Sequence, residues 1–404
     1  MILIMAWRNI WRNKMRSLVI MLSVVLGLFA GIMVLAIYKG MMHDRIRTVI
    51  EQEVGHLQLH HPSFKKDYDP AFTIDDGAAL LDKLRQIDAI HAMSTRSITQ
   101  GMLSTTTGGA GVQINGIHYD QEMAVSKIDE KIQEGRAFDM LKKNEILIGR
   151  KLAKKMKLKL GNKIVLTFTD PDANIISGAF RICGIYESDN TPLDEKNVYV
   201  QINELNDMLG IGTSFHEIVL LLKQDAQLVQ TENYLATHFK NLLVESWKTI
   251  SPETEFMVVT VDAMSFIIIG IILFALAFGI VNTMLMAILE RNKEIGMMMA
   301  LGMNKLKLFY LVLLETTCLT MAGAPIGLFF SWVVCNYYQM HGINWANMGK
   351  DLMRSFGFST MIYPIFPTDK VITILCFVFV TALLSCLYPA IKALSLKPVE
   401  ALRK

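Results

Sequence analysis

Three histidines stand close together, His56, His60 and His61, and clustered histidines are metal ligands. On an extended strand His56 and His60 share a face but lie about 13 Å apart, too far for one ion without a bend. We therefore expect surface or interface histidines and no metal. The glycine-rich stretch Gly108–Gly116 lacks the lysine and following helix of a phosphate-binding loop, and reads as turn and strand. No G-x-x-x-x-G-K-[ST], G-x-S-x-G or H-E-x-x-H occurs, so no catalytic residue is assigned. The basic patch from Arg150 to Lys163 has no interleaved aromatics to stack on bases; it reads as a solvated helix face able to touch lipid headgroups, with no nucleic-acid partner. Cys183 stands apart from Cys318, Cys335, Cys376 and Cys386, which lie in or beside apolar runs, so no disulfide framework is expected. Cys183 reads as a small buried residue in a strand.

What remains is mechanical rather than catalytic. Glu315 lies inside an apolar run, where an ionisable group is costly unless paired or facing water. A basic residue of the preceding connection is the expected partner. Asn282 is placed to hydrogen-bond across helices, and Gly323, Pro325 and Gly327 to permit a kink or close packing. Glu290 to Gly302 reads ERNKEIGMMMALG. A plain connection would be polar and rich in turn residues. This one places Ile295, Met299 and Gly302 on one helical face, an apolar ridge that needs a groove to bury it. At the start of the chain, Trp7 and Trp11, with Arg8 and Arg12 one step along, form an interfacial amphipathic helix.

The elements that must position these residues follow from composition. Of 404 residues, 52% are hydrophobic and 19% charged, below the roughly 25% charged of soluble proteins. Four charge-poor runs each reach the about 20 residues that cross a bilayer. We expect spans at 17–38, 263–289, 308–335 and 371–391. The first is too long for a signal-peptide core and has no cleavage site, so it reads as a retained anchor. Residues 1–16, 290–307 and 389–404 together carry net charge +9, whereas 39–262 carries −6. Short basic segments stay in the cytoplasm. Both termini (1–16 and 392–404) and 290–307 are therefore expected inside, with 39–262 and the shorter 336–370 loop outside. Within 39–262, strand-like alternation covers 56–60, 111–118, 163–169, 180–186 and 217–222. Helical periodicity covers 76–87, with Asp75 or Asp76 as N-cap, and 228–239. The fold class is an α-helical membrane protein with four transmembrane helices and a large α+β extracytoplasmic domain inserted between helices 1 and 2. Two subdomains fit its size, with no boundary legible.

The run from Asn282 to Glu315 resembles the FtsX-like permease domain of ABC transporters. The family's coupling segment corresponds to Glu290, Arg291, Glu294, Ile295, Gly296, Ala300, Leu301 and Gly302, and Met299 lies on the same stretch. Glu315, Gly323 and Gly327 match its third span. Ala6–Ser17 looks like the family's entry helix. The segment from Tyr388 to Leu402 looks like its closing Pro-Ala…Pro-Val-Glu-Ala-Leu tail. Glu145–Leu166 resembles the periplasmic domain shared by MacB-type exporters and lipoprotein-releasing (Lol) permeases, and Gly184–Val200 is most similar to the Lol members.

The resemblance implies an inner-membrane, multi-pass permease with its large domain in the periplasm. It implies pairing with a second copy or paralogue and with a dimer of a separate ABC ATPase that binds ATP and Mg. The chain itself then needs no cofactor. Movement would pass through the coupling helix to the outer domain, a mechanotransmission that requires no catalytic residue. In Lol-type systems the cargo is a lipoprotein, drawn from the outer leaflet and handed to a periplasmic carrier. Two alternatives stand beside this. One is a MacB-like stand-alone efflux permease for peptides or small molecules, the fused-ATPase form being disfavoured by a chain that starts almost directly with a span. The other is a division-type FtsX adaptor regulating a cell-wall hydrolase, whose outer domain is usually smaller. Four spans exclude the ten-span peptide sensors. A membrane-tethered enzyme lacks its constellation, and a receptor without an ATPase would leave the ridge unexplained.

Overall fold

Side chains without charge over twenty or more positions leave the backbone to satisfy its own hydrogen bonds, which in lipid selects the helix. The computed structural model describes residues 14–74, 77–106, 108–139 and 141–394. Trp7, Arg8, Trp11 and Arg12, the cap candidates Asp75 and Asp76, and the closing motif at Pro398–Leu402 lie outside the described residues. The apolar runs fall in four long helices: α1 (Lys14–Thr48), α2 (Pro252–Glu290), α4 (Lys305–His341) and α6 (Val371–Leu394), with α3 (Asn292–Ala300) between the second and third. Each is long and apolar enough to cross a membrane. At 39 residues, α2 is about 58 Å long, nearly twice the hydrocarbon thickness. No proline interrupts it after its first residue, so the helix runs on past its apolar run.

Two compact units divide the chain. One gathers the residues up to 42, 259–343 and those from 361 on; the other holds 43–258 and 344–360. The first is a helical bundle. Ile20, Val24, Leu28 and Ile32 form a stripe four residues apart on α1 and pack with Ile280 and Met284 of α2, Leu311 and Leu319 of α4, and Val378 and Ala382 of α6. Gly323 and Gly327 lie where α4 crosses α1. A Cβ on Gly323 would come 3.2 Å from the Met21 carbonyl oxygen, and one on Gly327 3.2 Å from Leu28 Cβ. Pro325 sits between them without ending the helix.

The second unit is built on a ten-stranded sheet. Its strands are β1 (Leu57–His60), β2 (Ile90–Thr105), β3 (Gly108–Ile117), β4 (Ile132–Gly135), β5 (Glu145–Gly149), β6 (Lys163–Thr169), β7 (Ile175–Tyr186), β8 (Asn197–Gln201), β9 (Glu217–Leu222) and β10 (Leu243–Ser246). The order is β10-β1-β9-β2-β3-β8-β5-β7-β4, and β6 pairs with both β7 and β2. The ladder β2-β3-β8-β5-β7-β6 therefore closes on itself. In β6 the inward residues are Ile164, Leu166 and Phe168, every second one, as a half-buried strand requires. Two large hydrophobic cores result. One lies in the closed ladder around Leu103, Ile146 and Phe180; the other lies around Leu57, Leu84, Leu220 and Leu235.

The 16-residue strand β2 belongs to both. Up to Arg96 it pairs with β9, and from Arg96 onward with β3. At that changeover the buried Arg96 guanidinium donates to both Glu122 oxygens (2.9 and 2.6 Å) and to Glu217 (3.0 Å). The division that local patterning leaves unmarked is a single strand shared between two cores. A second difference concerns 336–370. Its first residues complete α4, and 344–360, with a short helix α5 (Ala346–Ser355), belongs to the sheet-bearing unit.

Candidate functional site

Two breaks shape the segment after α2. Arg291 leaves helical geometry (φ −103°, ψ 16°), and α3 begins on the next residue. At the other end Gly302 adopts φ +91°, a conformation that glycine takes without steric cost. Its N–H donates to the Met299 carbonyl (3.1 Å) and that of Met303 to Met298 (3.0 Å), closing the helix in Schellman fashion. Asn304 then caps α4, its Oδ1 accepting from the Leu306 N–H at 3.2 Å. A helix, a corner, a two-turn helix, a glycine stop and a new cap thus fit in fifteen residues.

Arg291 is the corner's tie. Its Nε donates to Glu294 Oε2 at 2.8 Å, and its Nη1 lies 3.4 and 3.3 Å from the two oxygens of Glu315. Glu315 is buried on α4. The Arg291 guanidinium therefore fastens α3 to α4, in surroundings where burying a carboxylate is expensive. The cavity left between Arg291, Ile295, Leu308 and Glu315 is about 20 Å³, room for a water at most.

The face of α3 differs from the sequence reading. Ile295 is 4% exposed and lies in the bundle's own core, with Met298, Met299 and Met303 packed against it. Gly296 is buried too. The ridge of Ile295 and Met299 is satisfied within the chain, because the corner at Arg291 rolls it inward, and Gly302 is the helix stop rather than part of a face. The outward side carries Lys293, Met297, Ala300 and Leu301, spaced four, three and one apart, with Leu301 82% exposed. That spacing is a helical stripe in its own right. Glu290 is exposed at the end of α2. Asn282 is exposed as well, and makes no hydrogen bond to another helix among the described residues.

The histidines are corrected as well, since His56 and His60 are buried rather than on the surface. His56 Nδ1 accepts from the Leu222 N–H (3.1 Å) and its Nε2 lies 2.9 Å from Asp225. His60 Nε2 lies 3.2 Å from Gln58 Oε1, and burial pushes its pKa down to about 3. His61 stacks on Phe72. Among the described residues no three His, Cys, Asp or Glu are placed to hold a metal. Cys183, half-buried in β7, donates to the Ile146 carbonyl, and burial raises its thiol to about 12. On the basic patch, Lys155 pairs with Glu195 and Arg150 with Glu187.

Comparison with known proteins gives two family matches. The family described as MacB-like periplasmic core domain matches residues 17–238, more than half of the chain, and the FtsX-like permease C-terminal family matches 266–398. The lipoprotein-releasing system transmembrane protein LolC of Neisseria meningitidis is 23% identical, over 97% of this chain and 95% of that protein. An uncharacterized ABC transporter permease of Bacillus subtilis, YknZ, is 24% identical over 80% of this chain and 83% of its own length. The macrolide export ATP-binding/permease protein MacB of Campylobacter jejuni is 22% identical over 81% of this chain, which spans about half (52%) of that protein.

Proposed function

Because this chain belongs to the FtsX-like permeases that carry a MacB-like periplasmic core domain, we propose that it transmits the closure of a separate ABC ATPase to its outer domain in order to release lipoproteins from the membrane. As an ABC transporter permease it is a multi-pass membrane protein with an extracytoplasmic domain between its first and second long helices, and the family implies an ATPase partner. In our reading 290–307 faces the cytoplasm, as do both termini, and the spans are those at 17–38, 263–289, 308–335 and 371–391. The ATPase groove receives Met297, Ala300 and Leu301, with Lys293 at the rim, and ATP and Mg stay on the ATPase. A second copy or a paralogue completes the assembly.

The observation that carries the transmission is the tie of Arg291 to Glu315. A push on a helix held by one corner and a buried ion pair turns α4 rather than bending the connection, since packed interiors do not deform continuously. The lipoprotein cargo is supported by the likeness to LolC along nearly all of this chain and by the Lol-like segment 184–200. Macrolide exporters match at similar identity, and their cargo class is the competing outcome.

The test is co-expression with an ABC ATPase of the same genome and with a tagged lipoprotein, followed by purification in detergent. We expect the lipoprotein to co-purify and to leave on adding ATP and a soluble carrier. ATPase binding without lipoprotein capture would move the assignment to efflux, and no ATPase at all would remove the coupling role.

A further inference from the structure

The outer end of α1 is continued by six residues, Val49–Val54, wound as a π-helix and stopped by Gly55 at φ +75°. Such turns are rare and concentrate at functional positions. Around this one runs a ring of contacts that no hydrophobic core explains. Arg45 Nη1 lies 2.6 Å from Glu53 Oε1, both side chains being buried. The same oxygen accepts from Asn190 Nδ2 at 3.0 Å. Asn190 ends an acidic loop, 187–190, folded back by Asp194 of the helix that follows it (Thr191–Lys196), which accepts from the Ser188 hydroxyl (2.7 Å) and backbone N–H. At the head of that loop Glu187 Oε1 lies 2.5 Å from Arg354 Nη1, and Asp189 lies 3.5 Å from Arg354 Nε. Three residues on, Gly357 (φ +74°) lies against Arg45, so closely that a Cβ would come 2.7 Å from the guanidinium carbon. The ring closes through Gly357, Arg45, Glu53, Asn190, Glu187 and Arg354.

The segment 344–360 enters this ring from the connection between α4 and α6. Among its described residues none belongs to a hydrophobic core, and Leu352 and Phe356 are 65% and 61% exposed. Charge holds it. Arg354 reaches its carboxylates as ion pairs rather than through aligned hydrogen bonds, and Lys350 adds a contact of 4.0 Å to Glu187. A segment fastened this way opens at much lower free energy than one with a buried apolar face.

We infer that the ring is a releasable clasp, fastening the α4–α6 connection to the acidic loop and to the outer end of α1, so that the three move together while it is closed. Its part in transport rests on the transmission proposed above: the clasp delivers movement of the third and fourth long helices to the first helix and the outer domain.

The test uses the full-length protein in lipid nanodiscs. Hydrogen–deuterium exchange is followed in 344–360 for wild type, R354A and R354K, and in wild type with added NaCl. R354A should exchange about tenfold faster in that segment, R354K should retain protection, and salt should loosen the wild type. Gly357→Val, which opens the ring from the other side without altering a charge, should expose the same segment, and it keeps the test decisive where an Arg354 variant folds poorly. Unchanged exchange in R354A and Gly357→Val, or an R354K as open as R354A, would overturn the clasp. None of these readouts needs nucleotide or ATPase, so failure of the permease reading leaves them intact. If the clasp serves transport, R354A also keeps ATPase binding but loses ATP-driven release, and R354K restores it.

Discussion

Arg291 and Glu315, 24 positions apart, meet with Nη1 and Oε2 3.3 Å from each other across the joint between α3 and α4, and Arg291 also holds Glu294 at 2.8 Å. The two glutamates do different work. Glu294 is partly exposed and orients the guanidinium; Glu315 is buried beside it.

Removing one partner of a buried pair takes away the counter-charge it supplied. Arg291→Ala should cost about 3–5 kcal/mol and Arg291→Lys less. Glu294→Ala should cost under about 1 kcal/mol, as for exposed pairs. Thermal unfolding in nanodiscs ranks the three, and an Arg291→Ala as stable as Glu294→Ala would show that the tie carries no weight.

The two sides of α3 should separate stability from docking. Leu301→Glu alters an exposed side chain and should leave the melting temperature unchanged while abolishing co-purification of the ATPase. Ile295→Glu buries a charge in the bundle core and should unfold the protein before docking can be assayed. ATPase retained by Leu301→Glu would place the docking face elsewhere.

Packing of α4 on α1 has no spare room at Gly327. Gly327→Leu should destabilise by more than the about 1–3 kcal/mol of ordinary overpacking, since backbone as well as side chain faces the new atoms. Gly279→Leu, with nothing within 4 Å, is the control and should be tolerated. Unfolding of the two variants side by side checks this.

Acid should weaken the sheet-bearing unit through His60. Burial holds its pKa near 3 against an ordinary 6.5, so the unfolded chain binds more protons between those values. The stability that His60 permits is complete above pH 6.5 and is lost progressively as pH falls toward 3. Asp194 works oppositely: burial raises it from 3.8 to about 7, so its contribution is complete below 3.8 and is lost as pH rises through 7. Against wild type, His60→Gln should therefore gain relative stability toward low pH and Asp194→Asn toward high pH. Chemical denaturation across that range reads both slopes, and parallel curves would refute the assignment.

The long helices were legible because hydropathy is a property of neighbours in sequence. So were β6 and β9, whose bounds at Lys163–Thr169 and Glu217–Leu222 coincide with the alternating or apolar runs. The strand β2 was not: Ser94, Thr95, Ser97 and Thr99 are buried polar residues, and their pattern resembles a loop until β9 and β3 supply partners on either side. The histidines misled for a related reason. A buried histidine satisfied by a backbone N–H or a glutamine looks, in sequence, like an exposed one.

At Glu315 the cost of a charge among apolar residues demanded a nearby base, and the connection offered Arg291, Lys293, Lys305 and Lys307 as donors. Four apolar helices and an inserted α+β domain follow from composition and period alone, because each depends only on residues close in the chain. Which base answers Glu315, which side of α3 turns inward, how one strand serves two cores and why 344–360 leaves its helices for the sheet-bearing unit depend on groups tens to hundreds of residues apart. Tertiary structure alone brings those groups within the few ångströms over which ion pairs and packing act.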